Sequence, residues 1–285
     1  MKNRFPVVGV VAKRDAAATA LAGELAEWLV RRGHLVRIDA VTLAGLGRAD
    51  LAPLEAGGAC DLVIVLGGDG TILSVARRYA GGPPILGVNL GYLGYLTEVP
   101  REDLYPALVE ILAGHHALEA RSLLEVRLER AAGGGADYLA LNDAVIAKTA
   151  PSRIIELDVE VDGKFVSRYR ADGLVVSTPT GSTAYNLSAG GPILHPQLPV
   201  TVLTPICPHT LTLRPLVVPD TSVLSIQLET DSESVFLTVD GQEGTELAAG
   251  DRVRLRRHDR PVLLVRTADP RSIFEGLRSK LHWGE

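Results

Sequence analysis

Cysteine is scarce in this chain: 285 residues include only two, Cys60 and Cys207. They lie far apart and keep no short metal-ligand spacing, so two reduced, buried thiols are expected rather than a disulfide or zinc framework. An excess of positive charge is also missing. The 29 Lys and Arg against 34 Asp and Glu leave a net charge of −5, which argues against the broad basic face a nucleic-acid partner needs. No apolar run reaches the length of a membrane span, and the opening Met1-Lys2-Asn3-Arg4-Phe5-Pro6 lacks the apolar core of a signal peptide. The expectation is a cytoplasmic protein with neither nucleic acid nor membrane as partner. Repeats at solenoid period, HExxH metal pairs and GxSxG elbows are absent as well, so none of the folds or chemistries they mark is supported.

What is present centres on Asp61-Leu-Val-Ile-Val-Leu-Gly-Gly-Asp-Gly-Thr-Ile-Leu73. Leu62–Leu66 reads as a short buried strand, Gly67-Gly68-Asp69-Gly70 as a turn, and Thr71 onward as a helix. A glycine turn between strand and helix suits an anion. This one carries an aspartate and no lysine, so it is neither a GxxxxGK[ST] loop nor a GxGxxG loop. Within about 4 Å a carboxylate repels a phosphate by several kcal/mol at intermediate dielectric. Asp69 therefore makes sense if a divalent cation intervenes, or if it takes the proton of a hydroxyl that attacks phosphorus. The other reading is a solvated turn aspartate.

Around that turn, Val7–Val11, Leu35–Ile38 and Pro84–Val88 read as further strands. Leu21, Leu25, Trp28 and Leu29 fall at helical spacing before Gly33, and Leu104, Leu108, Ile111 and Leu112 do so before Gly114. Strands alternating with helices predict an α/β N-terminal domain, a doubly wound and largely parallel sheet, over residues 1–121. The loop Asn89–Leu96 should line its ligand crevice, with Tyr92 and Tyr95 as stacking or packing aromatics. Past Arg121 the period changes to two, as in Leu124-Glu-Val-Arg-Leu128 and Leu157-Asp-Val-Glu-Val161, and Asp162-Gly163 is a hairpin signal. This predicts a β-rich, mainly antiparallel C-terminal domain over 122–269, with a helix over 270–281 packing back on the first domain. Gly133-Gly134-Gly135 reads as a hairpin tip.

Three features interrupt the strands. Asn142-Asp143, followed by Arg153, offers a donor and an acceptor to a purine edge or a ribose, or simply starts a strand. Between Ser177 and Ser188 the chain carries six Ser or Thr hydroxyls and Tyr185, with a helix N-cap expected near Thr183. That density suits hydrogen bonds to riboses, an amide or a base, or a structural loop. Val239-Asp240-Gly241-Gln242 is either a hairpin turn or an amide presented to a ligand. From the residues alone, the reading stops at a phosphotransferase acting on a nucleotide-like alcohol.

In the same order, Gly67–Thr71, Asn89-Leu-Gly-Tyr-Leu-Gly-Tyr-Leu-Thr-Glu98, Asn142-Asp143, Asp172 to Gly191, Pro205–Pro215 and Asp240-Gly-Gln242 resemble the bacterial NAD kinases, the ATP/polyphosphate-NAD kinase family, over nearly the whole chain. Lipid kinases and phosphofructokinases share GGDGT. Thr178-Pro-Thr-Gly-Ser-Thr-Ala-Tyr-Asn-Leu-Ser-Ala-Gly-Gly-Pro192 is far more specific. The resemblance implies phosphoryl transfer from ATP to the 2′-hydroxyl of NAD's adenosine ribose. Asp69 is then the general base, with Gly70 beside the nucleotide. Asn142 and Asp143 contact the dinucleotide, Asp143 standing where many relatives have Glu. Thr183, Ala184, Tyr185, Asn186, Leu187 and Ser188 cradle the adenosine, Asp172 holds the nicotinamide end, and Gln242 adds a contact. Arg153 and Arg170 are the candidate cations for the phosphates. The resemblance further implies Mg²⁺ or another divalent cation with ATP, no metal fixed by protein residues alone, polyphosphate as a donor for some members, and a homodimer or homotetramer. Two rivals are a lipid or sugar kinase built on GGDGT, and a sensor that binds NAD or NADP without turnover.

Overall fold

The computed structural model describes residues 4–55, 59–91, 94–149, 154–210, 212–230, 235–269 and 272–282. In order come β1 (Val7–Ala12), α1 (Ala16–Val30), β2 (Leu35–Asp39), α2 (Ala40–Leu46), β3 (Ala52–Leu54), β4 (Leu62–Gly67), α3 (Asp69–Arg78), β5 (Ile85–Asn89), β6 (Val99–Pro100), α4 (Leu104–Ala113) and β7 (His116–Arg121). They are followed by β8 (Leu124–Glu129), β9 (Gly135–Ala140), β10 (Asp143–Lys148), β11 (Ile155–Val161), β12 (Lys164–Ala171), β13 (Gly173–Ser177), α5 (Tyr185–Ser188), β14 (Val200–Ile206) and β15 (Leu216–Pro219). The chain continues through β16 (Leu224–Leu228), β17 (Val235–Val239), β18 (Glu243–Leu247), β19 (Arg252–Arg257), β20 (Val262–Thr267) and α6 (Ile273–Leu281). These elements form two units, Met1–Ala120 with Val262–Glu285, and Arg121–Pro261.

The first unit is an α/β layer on a sheet ordered β3-β2-β1-β4-β5-β20-β7, with β6 beside β5. β1 pairs in parallel with β2 and β4, and β4 in parallel with β5. β4 is buried at every position, as expected of a parallel strand covered on both faces. Leu21, Leu25 and Leu29 of α1 pack with Val8, Val10, Ile64 and Leu66 in one core. Asp15 caps α1 by accepting the N–H of Ala18 at 2.8 Å, and Gly33 follows its end at φ 83°. The order of strand addition reverses between β1 and β4, so the turn after β4 sits at the switch point where such sheets bind ligands.

The strand β20 corrects the sequence-based boundary. The sequence pattern assigns residues 262–269 to the second domain, yet Leu264 pairs in parallel with Ile85 of β5. Arg266 fixes the strand there: it meets Glu98 at 2.7 Å and Glu119 at 2.5 Å, all three being well shielded from water. Glu98, part of the family-like Asn89–Glu98 stretch, thus has a structural partner in the same unit.

The second unit is all antiparallel. Its two sheets are ordered β15-β14-β13-β10-β17-β18 and β12-β11-β16-β19-β8-β9, and side chains from both, such as Val126, Leu157, Ile146 and Leu203, share one core. The alternating runs are these strands, with inward positions buried and outward ones wet. Asp162 (φ 52°) and Gly163 (φ 71°) make the tight turn between β11 and β12. Cys60 is half-buried, its thiol pushed up to about 11 by burial. Cys207 is exposed, which corrects the expectation of two buried thiols. Among the described residues no helix is long and apolar enough to cross a membrane.

Candidate active site

In the first unit β4 ends in Gly67, and α3 begins at Asp69, two residues earlier than the sequence pattern places it. Asp69 is thereby the first helical residue, where the positive end of the helix dipole favours its negative charge. The Tyr95 N–H donates to Asp69 Oδ2 at 2.8 Å and the Leu96 N–H to Oδ1 at 3.0 Å. Lys280 Nζ of α6 lies 3.6 Å from Oδ2 and 3.8 Å from the centroid of the Tyr95 ring. The loop can approach because Gly94 has no side chain: a Cβ there would overlap the Asp69 carboxylate. Thr97 Oγ1 accepts the Gly94 N–H at 3.0 Å, and Asn89 Oδ1 accepts that of Gly91, also at 3.0 Å. Asp69 is therefore oriented by two amides on a rigid strand–helix junction, unlike a solvated turn aspartate. Gly70 is the second residue of α3. Tyr92 lies outside the described residues.

In the second unit the organising group is Asp240, which from sequence reads as part of a hairpin turn. It accepts the N–H groups of Leu141 (3.0 Å), Asn142 (2.8 Å) and Asp143 (3.2 Å), and its own left-handed backbone, φ 50°, turns β17 toward β18. The hydroxyl-rich segment is stitched to the same spot. Thr178 Oγ1 donates to the Leu141 carbonyl at 2.6 Å, Ser177 Oγ to that of Asn142 at 3.1 Å, and a Cβ on Gly181 would overlap the Asn142 backbone. The buried Arg121 donates to Thr180 Oγ1 at 3.2 Å. Asp143 is only 4% exposed. Burial, and then the neighbouring Asp240, push its carboxyl up to about 7.

The remaining candidates divide by environment. Thr183 closes a 3-10 turn (Gly181–Thr183), and Ala184 rather than Thr183 precedes α5, so the expected N-cap is displaced. Ala184 and Leu187 are half-buried, while Tyr185 and Ser188 are exposed. Asn186 is fully buried and works within the loop. Its Nδ2 donates to the carbonyls of Ser182 (3.1 Å) and Pro192 (3.0 Å), and its Oδ1 accepts from Thr204 (2.6 Å). Asp172 pairs with Lys148 at 2.7 Å. Arg170 reaches Glu156 at 3.1 Å on the exposed side of β12. Gln242 is exposed at the β17–β18 hairpin, and Arg153 lies outside the described residues.

Both halves of this arrangement have counterparts among known proteins. Residues 8–116 match the ATP-NAD kinase N-terminal domain and residues 141–267 the ATP-NAD kinase C-terminal domain. The chain belongs to the NAD kinase family. An NAD kinase from Geotalea daltonii is 47% identical over 290 residues, covering 98% of this chain and 99% of that one. One from Solibacter usitatus is 47% identical, covering 97% of each. Among solved structures, yeast NADH kinase complexed with NADH matches at a TM-score of 0.89 and 27% identity, covering 100% of this chain and 89% of that one. An NAD kinase from Archaeoglobus fulgidus in complex with ATP matches at 0.76 and 26%, covering 97% and 98%.

Set in the NAD kinase family, the sequence reading misses three contributors, Asp240, Arg121 and Lys280. Asp240 is hidden by its Asp-Gly signature, which is a true turn as well as a carboxylate anchor. Arg121 and Lys280 carry no local motif; only the folded chain brings them to Thr180 and Asp69.

Proposed function

We propose that this chain transfers the terminal phosphoryl group of ATP to the 2′-hydroxyl of the adenosine ribose of NAD, giving NADP and ADP. The observation that carries the reading is the Asp69 carboxylate, held by the Tyr95 and Leu96 amides at the end of β4. Asp69 takes the proton of the 2′-hydroxyl, the freed oxygen attacks the terminal phosphorus, and the bond to the bridging oxygen of ADP breaks. Mg²⁺, or another divalent cation, enters on the ATP phosphates as part of the substrate. Among the described residues no group of three or more His, Cys, Asp or Glu gathers to hold one.

Asn142, Asp143, Thr183, Tyr185, Ser188 and Gln242 bind the dinucleotide in this reading, and Asn186 shapes the loop that presents it. Asp143, whose carboxyl burial and the neighbouring Asp240 push up to about 7, can donate as well as accept a hydrogen bond to a ribose hydroxyl. Asp172 receives the nicotinamide amide by sharing its carboxylate with Lys148. Polyphosphate is the second donor to be tried, the assembly a homodimer or homotetramer, and the location the cytoplasm.

The test is to incubate the purified chain with NAD, Mg²⁺ and either ATP or polyphosphate, and to follow NADP. Formation of NADP with equimolar ADP is expected, and its absence with both donors refutes the reading. Asp69→Asn should lower kcat by about 10²–10⁴ while leaving NAD affinity within a few-fold. Light scattering on the eluting protein reads the assembly.

A further inference from the structure

The glycine turn that should receive phosphates contains no cation, and the described part of the loop that closes over Asp69 contributes amides. One ammonium group nevertheless stands at this point, brought by the far end of the chain. The helix α6 starts with a capping box between Ser272 and Glu275 and is anchored by Leu277, 3% exposed. Lys280, one turn beyond, shares the anchored face. Its Nζ lies 3.6 Å from Asp69 Oδ2 and over the Tyr95 ring, with the side chain only 26% exposed.

A tether for α6 is the plain structural reading, and the geometry does not favour it. The separation exceeds the roughly 2.7–2.9 Å of a charge-assisted hydrogen bond, and both Asp69 oxygens are already oriented by backbone amides. The ammonium adds little to holding the carboxylate. What it does add is a positive charge 3.6 Å from the base, close enough for a phosphate oxygen beside Asp69 to meet it. Phosphoryl transfer spreads negative charge over three equatorial oxygens, and kinases and P-loop enzymes meet that charge with a lysine drawn from various places in the fold.

We infer that Lys280 is a catalytic residue that binds the transferring phosphoryl group. The inference rests on the reading of Asp69 as the base. In the resting site Lys280 leans on ionised Asp69. When Asp69 accepts the ribose proton it becomes neutral and its hold on the ammonium falls. The equatorial oxygens, gaining charge as the bond to ADP breaks, take the ammonium over. Lys280 takes part as a charge, and the only proton moved is the one from the 2′-hydroxyl to Asp69.

The experiment compares the parent with Lys280→Met, Lys280→Ala, Lys280→Arg and Asp69→Asn, varying ATP and NAD separately. Lys280→Met and Lys280→Ala should lower kcat about 10²–10³-fold, the usual cost of removing one preorganised stabiliser of developing charge. KM for NAD should stay within about threefold, since Lys280 meets only the phosphoryl group. Lys280→Arg should recover at least about tenfold of the loss, and added ethylammonium should raise the rate of Lys280→Ala but not that of Asp69→Asn. A kcat loss below about tenfold overturns the inference, and so does a larger loss that neither arginine nor ethylammonium restores, which marks a structural tether. If Asp69→Asn itself keeps kcat within a few-fold, the base reading fails first and separately.

Discussion

Replacing Asp143 by asparagine gives a sharp physical forecast, because the two states of one carboxyl differ so much in cost. Asp143 sits at the start of β10, 4% exposed, beside the carboxylate of Asp240. Burial is the first cause of its raised titration, the neighbouring charge the second, and together they push it up to about 7 from 3.8. The folded chain therefore keeps a proton on Asp143 over a range in which the unfolded chain has lost it. Between about pH 4 and pH 7 stability falls as pH rises, and above about 7 the full cost of an ionised, buried Asp143 is present. At about 1.36 kcal/mol per pH unit that cost is on the order of 4 kcal/mol. An asparagine side chain keeps the shape and cannot ionise. The stability of Asp143→Asn relative to the parent should climb by about that amount from the acid to the alkaline side of the window. Amide hydrogen exchange of β10 and β13 reads the opening of the second unit by itself, and a carbon-13 titration of the parent reads the carboxyl directly. A relative stability that is flat within about 1 kcal/mol across the window, or a carboxyl titrating below about 5, refutes the argument.

Other outcomes follow from the same geometry. Asp240→Ala removes the acceptor of three N–H groups. It should cost at least about 3 kcal/mol in urea unfolding, since each of three unmet donors costs about 1–3, and should lower the titration of Asp143. Unchanged stability would show that those amides find acceptors elsewhere. Gly94→Ala places a Cβ into the Asp69 carboxylate and should lower kcat about 10²-fold, the scale of a misplacement of about 1 Å, and lower the thermal midpoint as the Tyr95 and Leu96 amides lose their acceptor. Full activity in that variant would mean that the carboxylate has room the geometry denies it.

Much of the fold is legible in the sequence because its signals are local. The apolar run Leu62–Leu66, the helical spacing of Leu21, Leu25 and Leu29, and the alternation at Leu124–Leu128 each answer to a burial pattern that a few neighbours decide. Short elements are not legible: α2 and the three-residue β3 have too few positions to show a period. The residues of β20 fall by sequence within the β-rich half, because nothing in Val262–Thr267 says that its partner is β5. The site divides in the same way. Asp69 stands out in the sequence as an acid in a glycine turn, whereas Lys280 and Asp240 meet their partners, Asp69 and the amides of Leu141, Asn142 and Asp143, only in the folded chain. Asn186, placed by resemblance against the adenosine, has its polar atoms engaged inside the loop, a distinction that only three-dimensional packing can draw.

The insertion of β20 between β5 and β7 also orders events during synthesis. The ribosome has delivered every strand of the second unit, β8 to β19, before it delivers the piece that fills the gap in the first sheet. The strands of the all-antiparallel half are all on the emerging chain while the first sheet still lacks the strand between β5 and β7. A message cut short after β19 would supply every strand of the second unit but leave the first sheet unsealed and without α6.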